Sequence, residues 1–142
     1  MKIGLALAAI MVFAAATRAT ADQLPMDTPT AVDGIQTVCT GVGSSQDDPR
    51  WQTYPVRVEF SNGAAQYLAG AHVTLSGSGR SLTSFDCSGS WVLFQLPAGR
   101  YSVSAVLSGE SIEESRSTMF STTGSGPQQR VELQFTHMAA NQ

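Results

Sequence analysis

Leu68-Ala-Gly-Ala-His-Val-Thr-Leu75, then Asp86-Cys-Ser-Gly-Ser-Trp91, then Leu96-Pro-Ala-Gly-Arg-Tyr-Ser-Val103 and on to Leu107, is the stretch that decides the fold. Val73 and Leu75 alternate with His72, Thr74 and Ser76. Tyr101, Val103, Ala105 and Leu107 alternate with Ser102, Ser104 and Ser108. A period of two puts successive side chains on opposite faces of a strand, so each of these segments turns one face to a core and the other to solvent. Pro97 presets φ for the second position of a turn, and Gly99 is expected to take the positive φ that a side chain penalises. Asp86 is placed to accept from its own backbone two residues on, with Gly89 closing that turn.

The same pattern extends in both directions. Tyr54, Val56, Val58 and Phe60 alternate with Pro55, Arg57 and Glu59, and Val131, Leu133 and Phe135 alternate with Arg130, Glu132 and Gln134. Weaker strands are expected over 32–42, 81–87 and 111–121, the last a polar edge whose Glu113-Glu114 pair discourages edge pairing. Gly/Ser/Asn-rich turns fall every eight to twelve residues, and no helix-period segment is long enough for a crossover. The prediction is an all-β, antiparallel, seven- to eight-stranded sandwich over residues 32–136.

Residues 1–21 read as a secretory signal: Lys2, an apolar run from Ile3 to Ala16, and Ala19-Thr20-Ala21 as the cleavage site. A retained span needs about 20 apolar residues, and Arg18 interrupts the run, so no membrane span is expected after cleavage. Residues 22–31 are expected to be a flexible leader and 137–142 a flexible tail. The mature chain keeps six of the eight basic residues, all arginine, and all eleven acids, a charge of 6 − 11 = −5. With no basic run, nucleic acid and anionic membranes are disfavoured as partners.

The order of elements resembles the carboxypeptidase regulatory-like domain, a small sandwich related to transthyretin. The carrying motifs are Leu68-Ala69-Gly70-Ala71-His72-Val73-Thr74-Leu75, Asp86-Cys87-Ser88-Gly89, the aromatic strand Trp91-Val92-Leu93-Phe94, and Leu96-Pro97-Ala98-Gly99-Arg100-Tyr101-Ser102-Val103. Tyr67 replaces the family's usual proline, and a cysteine stands inside the turn. The resemblance implies a Greek-key, transthyretin-like topology and leaves activity open, because such modules accompany enzymes, transporters and adhesins alike. It also implies that Trp91 and Leu93 face the core. That leaves Val92 and Phe94 either covered by the edge strand, the leader or the Trp51 loop, or exposed as a protein-binding face.

Cys39 and Cys87 both lie in the exported part, where a disulfide persists, and only one pairing is available. Closing a loop of about fifty residues contributes roughly 4 kcal/mol in the chain-entropy model. The chain shows no Gly-x-Ser-x-Gly elbow, His-Glu-x-x-His, Gly-x-Gly-x-x-Gly or phosphate loop, so no catalytic residue and no cofactor are expected. Relatives that hydrolyse hydroxyisourate end in Tyr-Arg-Gly-Ser, whereas this chain ends His137-Met138-Ala139-Ala140-Asn141-Gln142, so that activity is not implied. Without lysine, the mature chain forms no lysine isopeptide crosslink.

His72 and His137 lie far from the cysteines, and Asp47 with Asp48 offers too few ligands for calcium, so no metal is expected. What remains is binding. Asp47, Asp48, Arg50 and Trp51 form a loop suited to a sugar or a protein, unless Trp51 instead plugs the core. The expected function is a non-catalytic binding module, periplasmic or secreted, whose partner is a protein or, alternatively, an envelope glycan.

Overall fold

The computed structural model describes residues 22–63 and 66–138. The expected signal peptide, the Ala64-Ala65 pair and residues 139–142 lie outside the described residues. Ten strands run in chain order: β1 (Asp22–Gln23), β2 (Thr30–Val32), β3 (Ile35–Thr40), β4 (Val56–Ser61), β5 (Ala71–Gly77), β6 (Arg80–Cys87), β7 (Trp91–Phe94), β8 (Gly99–Ser108), β9 (Glu113–Thr122) and β10 (Gln129–Gln134). They form a first sheet ordered β1-β6-β5-β8-β9 and a second ordered β10-β4-β7-β3-β2. Pairing is antiparallel except for β1 with β6 and β10 with β4. The fold is an all-β sandwich.

Between the sheets, Val58, Phe60, Val92 and Phe94 of the second meet Val73, Leu75, Phe85, Val103 and Ala105 of the first. Phe85 and Phe94 cross the gap with ring centroids 6.0 Å apart. Along β5 the alternation is complete, every second residue being buried. β6 must match it across a two-residue turn, Ser78 (φ 53°) and Gly79 (φ 77°), the consecutive positive φ values that suit a tight hairpin.

That turn pairs Gly77 with Arg80 and would put His72 opposite Phe85, an apolar residue on the wrong face. A bulge between Leu75 and Ser76 absorbs one residue, so His72 instead pairs with Asp86 and Val73 with Phe85. The burial pattern and the turn are reconciled by that single extra residue.

Segment 22–31 is not a loose leader. β1 lies along β6, Leu24 is buried, Met26 bridges to Cys39, and Thr40 Oγ1 donates to Asp27 Oδ1 at 2.6 Å. Two isolated apolar residues suffice here because β6 otherwise presents an unpaired edge. The tail also begins docked: Met138 is buried, and His137 N donates to Glu114 Oε1 at 3.1 Å. Glu114 itself is buried and paired with Arg116, whereas a solvated edge charge was expected.

The Cys39–Cys87 disulfide links β3 of the second sheet to β6 of the first. Gly89 is needed beside it for closeness rather than for φ, since a Cβ would stand 2.1 Å from the Thr40 carbonyl oxygen. Gly99 likewise lacks the expected positive φ, because it already belongs to the extended β8.

Candidate functional site

Of the six residues that the sequence nominates for binding, Trp51, Val92 and Phe94 are buried, and Asp47, Asp48 and Arg50 are not. Val92 and Phe94 are 0 % exposed and belong to the inter-sheet core, so they form no interface. The inward and outward faces of β7 are the reverse of the expected ones. β7 is a central strand of the second sheet, and its Leu93 and Trp91 side, although outside the sandwich, is roofed by the chain itself.

Leu93 and Val38 pack under Trp51 and Tyr54, which come from the 3₁₀ turn Pro49–Thr53 and its exit. Trp51 is 2 % exposed and therefore no stacking platform. Gln128 Nε2 donates to the carbonyls of Trp51 and Tyr54 at 2.7 and 3.1 Å, tying this roof to the segment before β10.

Of the loop's charged residues, Asp48 caps the 3₁₀ turn, accepting from Arg50 N at 2.9 Å, and binds the Arg50 guanidinium at 2.7 Å. Hydrogen bonds from the Arg50 side chain and then its backbone hold the Asp48 carboxyl below its ordinary range. Arg50 lies over the Trp51 ring at 4.6 Å. Both charges serve the loop's own geometry, and Asp47 ends the preceding 3₁₀ turn.

Beside that roof, the outer face of β4 carries Glu59, 2 % exposed, in a polar cluster. Arg130 donates to it from Nε at 3.0 Å and Nη2 at 2.8 Å, and Tyr67 Oη donates at 2.9 Å. Arg57 stacks 4.3 Å over Trp91, and Tyr67 meets the same indole edge-on at 5.8 Å. Burial, followed by the hydrogen bond to Glu59, raises the Tyr67 phenol above its ordinary range. A buried carboxylate requires such partners, and they seal this face.

The outward face of the first sheet brings together His72, Ser84 and Asp86. Asp86 Oδ1 lies 2.7 Å from His72 Nδ1, His72 Nε2 lies 2.9 Å from Ser84 Oγ, and Ser84 Oγ lies 3.2 Å from Thr74 Oγ1. With Asp86 ionised, Nδ1–H donates to the carboxylate and Nε2 accepts from the serine. This is the connectivity of a nucleophilic relay. Nucleophilic catalysis also needs a shaped site that positions substrate and donors aimed at developing charge. Ser84 lies mid-strand on an open sheet face, and neither cleft described below includes it. The ladder links β5 to β6 on one side of the bulge, each such pair contributing about 0.2–1 kcal/mol.

Concave space lies at the end of the sandwich where the β5–β6 turn meets the start of β8. One cleft of about 250 Å³ is lined by Ser76, Arg100, Tyr101, Ser102 and Met119 around the turn. A second of about 290 Å³ adjoins it through Gly77, Ser78, Arg100 and Tyr101 and adds Arg80 and Leu82. Gly77 opens the space, because a Cβ there would lie 3.1 Å from both Leu82 Cδ1 and Tyr101 Cδ1.

Met119, 68 % exposed, lines the rim. Tyr101 is fixed by stacking on Phe120 and by donating from Oη to the Pro97 carbonyl at 2.9 Å. Arg50, Arg57, Arg116 and Arg130 each have a carboxylate partner. Among the described residues the remaining two arginines, Arg80 and Arg100, have none, and both line these clefts. Arg80 lies on β6 and Arg100 on β8, and no local pattern in the sequence marks either.

No protein-family model matches the chain, and no curated protein matches it in sequence.

Proposed function

We propose that this chain is a non-catalytic β-sandwich binding module, exported to the periplasm or secreted, that recognises a protein partner through the double cleft at its β5–β6 turn. The observation that carries this reading is a pair of adjoining clefts at one end of the sandwich, one lined by Arg100, Tyr101 and Met119 and the other by Arg80, Arg100 and Tyr101. Aromatic, methionine and arginine side chains are the types enriched at protein interfaces. Arginines without an intramolecular partner leave their donors available to another chain.

The Cys39–Cys87 bond suits an oxidising compartment, and no described helix is long and apolar enough to cross a membrane. The motif resemblance to the carboxypeptidase regulatory-like domain, with its Greek-key, transthyretin-like topology, fits a module of this kind. An envelope glycan is the weaker reading, because stacking on a sugar needs an exposed aromatic face and both Trp51 and Trp91 are buried.

Affinity capture of the tagged, disulfide-intact protein from native envelope extract tests the assignment. A protein retained by the native chain and lost with Met119→Asp is the expected result. Equal retention by both would place recognition elsewhere.

A further inference from the structure

We propose that Ser84 is an acyl-acceptor site: His72 and Asp86 activate its hydroxyl toward an acyl thioester or a similarly activated ester, and the chain keeps the serine ester that forms. The site is separate from the two clefts and does not depend on what they bind.

Strand alternation and register build the site. Asp86 stands directly across from His72 and Ser84 directly across from Thr74, so two successive outward residues of β6 hold the two ends of one imidazole. Nδ1 lies 2.7 Å from Asp86 Oδ1, and Nε2 lies 2.9 Å from Ser84 Oγ. An ionised carboxylate only accepts, so it selects the Nδ1–H tautomer and leaves the Nε2 lone pair facing the serine hydroxyl. The side chains of His72 and Asp86 are 40 % and 42 % exposed, within reach of a donor from solution. Ser84 also heads a row of short hydroxyl side chains that runs across the sheet through Thr74, Ser104 and Ser117, so an acyl group can lie over it without meeting a long side chain from that row.

In the reaction Ser84 Oγ bonds to the acyl carbon while its proton passes to His72 Nε2. The C–S or C–O bond to the leaving group then breaks, and the proton on Nε2 goes to the departing thiolate or alkoxide. The products are a Ser84 ester and a free thiol or alcohol. Asp86 stays ionised throughout and stabilises the transient imidazolium. Thr74 Oγ1, 3.2 Å from Ser84 Oγ, can turn its proton to the acyl oxygen as charge develops there. One such hydroxyl is a weak oxyanion site, and neither cleft encloses Ser84. An alkyl ester is also a poorer electrophile than the thioester that formed it. Attack by water is therefore slow and the ester persists, so Ser84 is modified once rather than turning over.

The test treats disulfide-intact protein with p-nitrophenyl acetate and with a small S-acetyl thioester, and locates the acetyl group by peptide mass spectrometry. Residues 22–142 contain no lysine, which removes the commonest competing acceptor. Ser84 is expected to acquire acetyl about a hundredfold faster than Ser117 or Ser121 on the same sheet face, the low end of what a positioned base contributes. Ser84→Ala should abolish that label and Ser121→Ala should leave it unchanged. His72→Gln should slow Ser84 to the rate of the other serines. Asp86→Asn should slow it about tenfold or more, because the tautomer is no longer imposed. Asp86 is a positioning residue, and long-range ¹⁵N spectra of the neutral His72 ring should show the Nε2–H tautomer growing in that variant. Circular dichroism confirms that each variant is folded, as expected for substitutions on an outward face. Release of nitrophenolate should stop at about one equivalent per chain.

Acetylation of Ser84 no faster than that of Ser117 or Ser121, or unchanged by His72→Gln, would overturn the activation and leave the ladder as a cross-strand contact alone. Acetyl found on His72 in place of Ser84 would overturn the serine as acceptor. Release continuing well beyond about one equivalent per chain would overturn retention of the ester.

Discussion

Replacing Trp51 by alanine distinguishes a roof from a recognition loop. The indole is 2 % exposed against Val38, Leu93 and Tyr54, the last with ring centroids 6.3 Å away. A tryptophan buries about 150–250 Å², which at about 25 cal/mol per Å² gives roughly 4–6 kcal/mol as an upper bound. Losing the exposed Arg50 stack adds about 0.5 kcal/mol to the cost. Against this, Trp51 Nε1 is buried without a described partner, and removing it relieves about 1–3 kcal/mol of desolvation. The net expectation is destabilisation by about 2–4 kcal/mol, a fall in melting temperature on the order of 10 °C for a domain of this size.

Trp51→Phe keeps most of the area and sheds the unpaired N–H, so it should cost about 1 kcal/mol or less. Urea unfolding followed by circular dichroism measures both variants. A Trp51→Ala protein within about 0.5 kcal/mol of the native one would mean that the 3₁₀ turn does not cover β7 in solution.

Alkylation without reductant should leave both cysteines unmodified in intact mass, and Cys39→Ala with Cys87→Ala should destabilise by about 2–5 kcal/mol. Val92→Ser with Phe94→Ser should abolish the cooperative melt, since both side chains lie between the sheets; a folded double variant that loses self-association would restore the interface reading. Glu59→Gln should cost about 1–3 kcal/mol by weakening its bonds to Arg130 and Tyr67. The same change should lower the Tyr67 pKa in an ultraviolet titration. Because that pKa is raised in the folded state, its contribution is complete below the ordinary tyrosine range and is lost as pH rises through the folded value, so the difference between native and variant should shrink at alkaline pH.

The strands most legible in the sequence are those with one wet face. β5, β8 and β10 alternate in burial as they alternate in composition. β7 is the exception: both of its faces are apolar, so period two does not choose between them, and the motif resemblance points to the reverse of the observed one. What roofs its outer side, Trp51 and Tyr54, lies some forty residues earlier, and only sheet order brings them there.

Glu59 reads as a solvent-facing charge because its own strand alternates, yet Tyr67, Arg57 and Arg130 close over it from neighbouring chain. The ladder through His72, Ser84 and Asp86 was within reach of counting back from Ser78-Gly79, except that the bulge shifts the register by one. Arg80 and Arg100 carried no local signal at all. Their significance comes from the pairing of the other four arginines, a property of the folded charge set.

The central claim is that the β5–β6 turn end of the sandwich faces a protein partner, and site-specific photo-crosslinking in intact cells of origin tests it most directly. A benzophenone side chain replaces Met119 at the cleft rim in one variant and Val42, also exposed but next to the 3₁₀ turns, in another. The account predicts a discrete crosslinked product from position 119 that fades when Arg80 and Arg100 are also replaced by alanine, with none from position 42. A product from position 42 alone, or one from position 119 indifferent to the arginines, would contradict it.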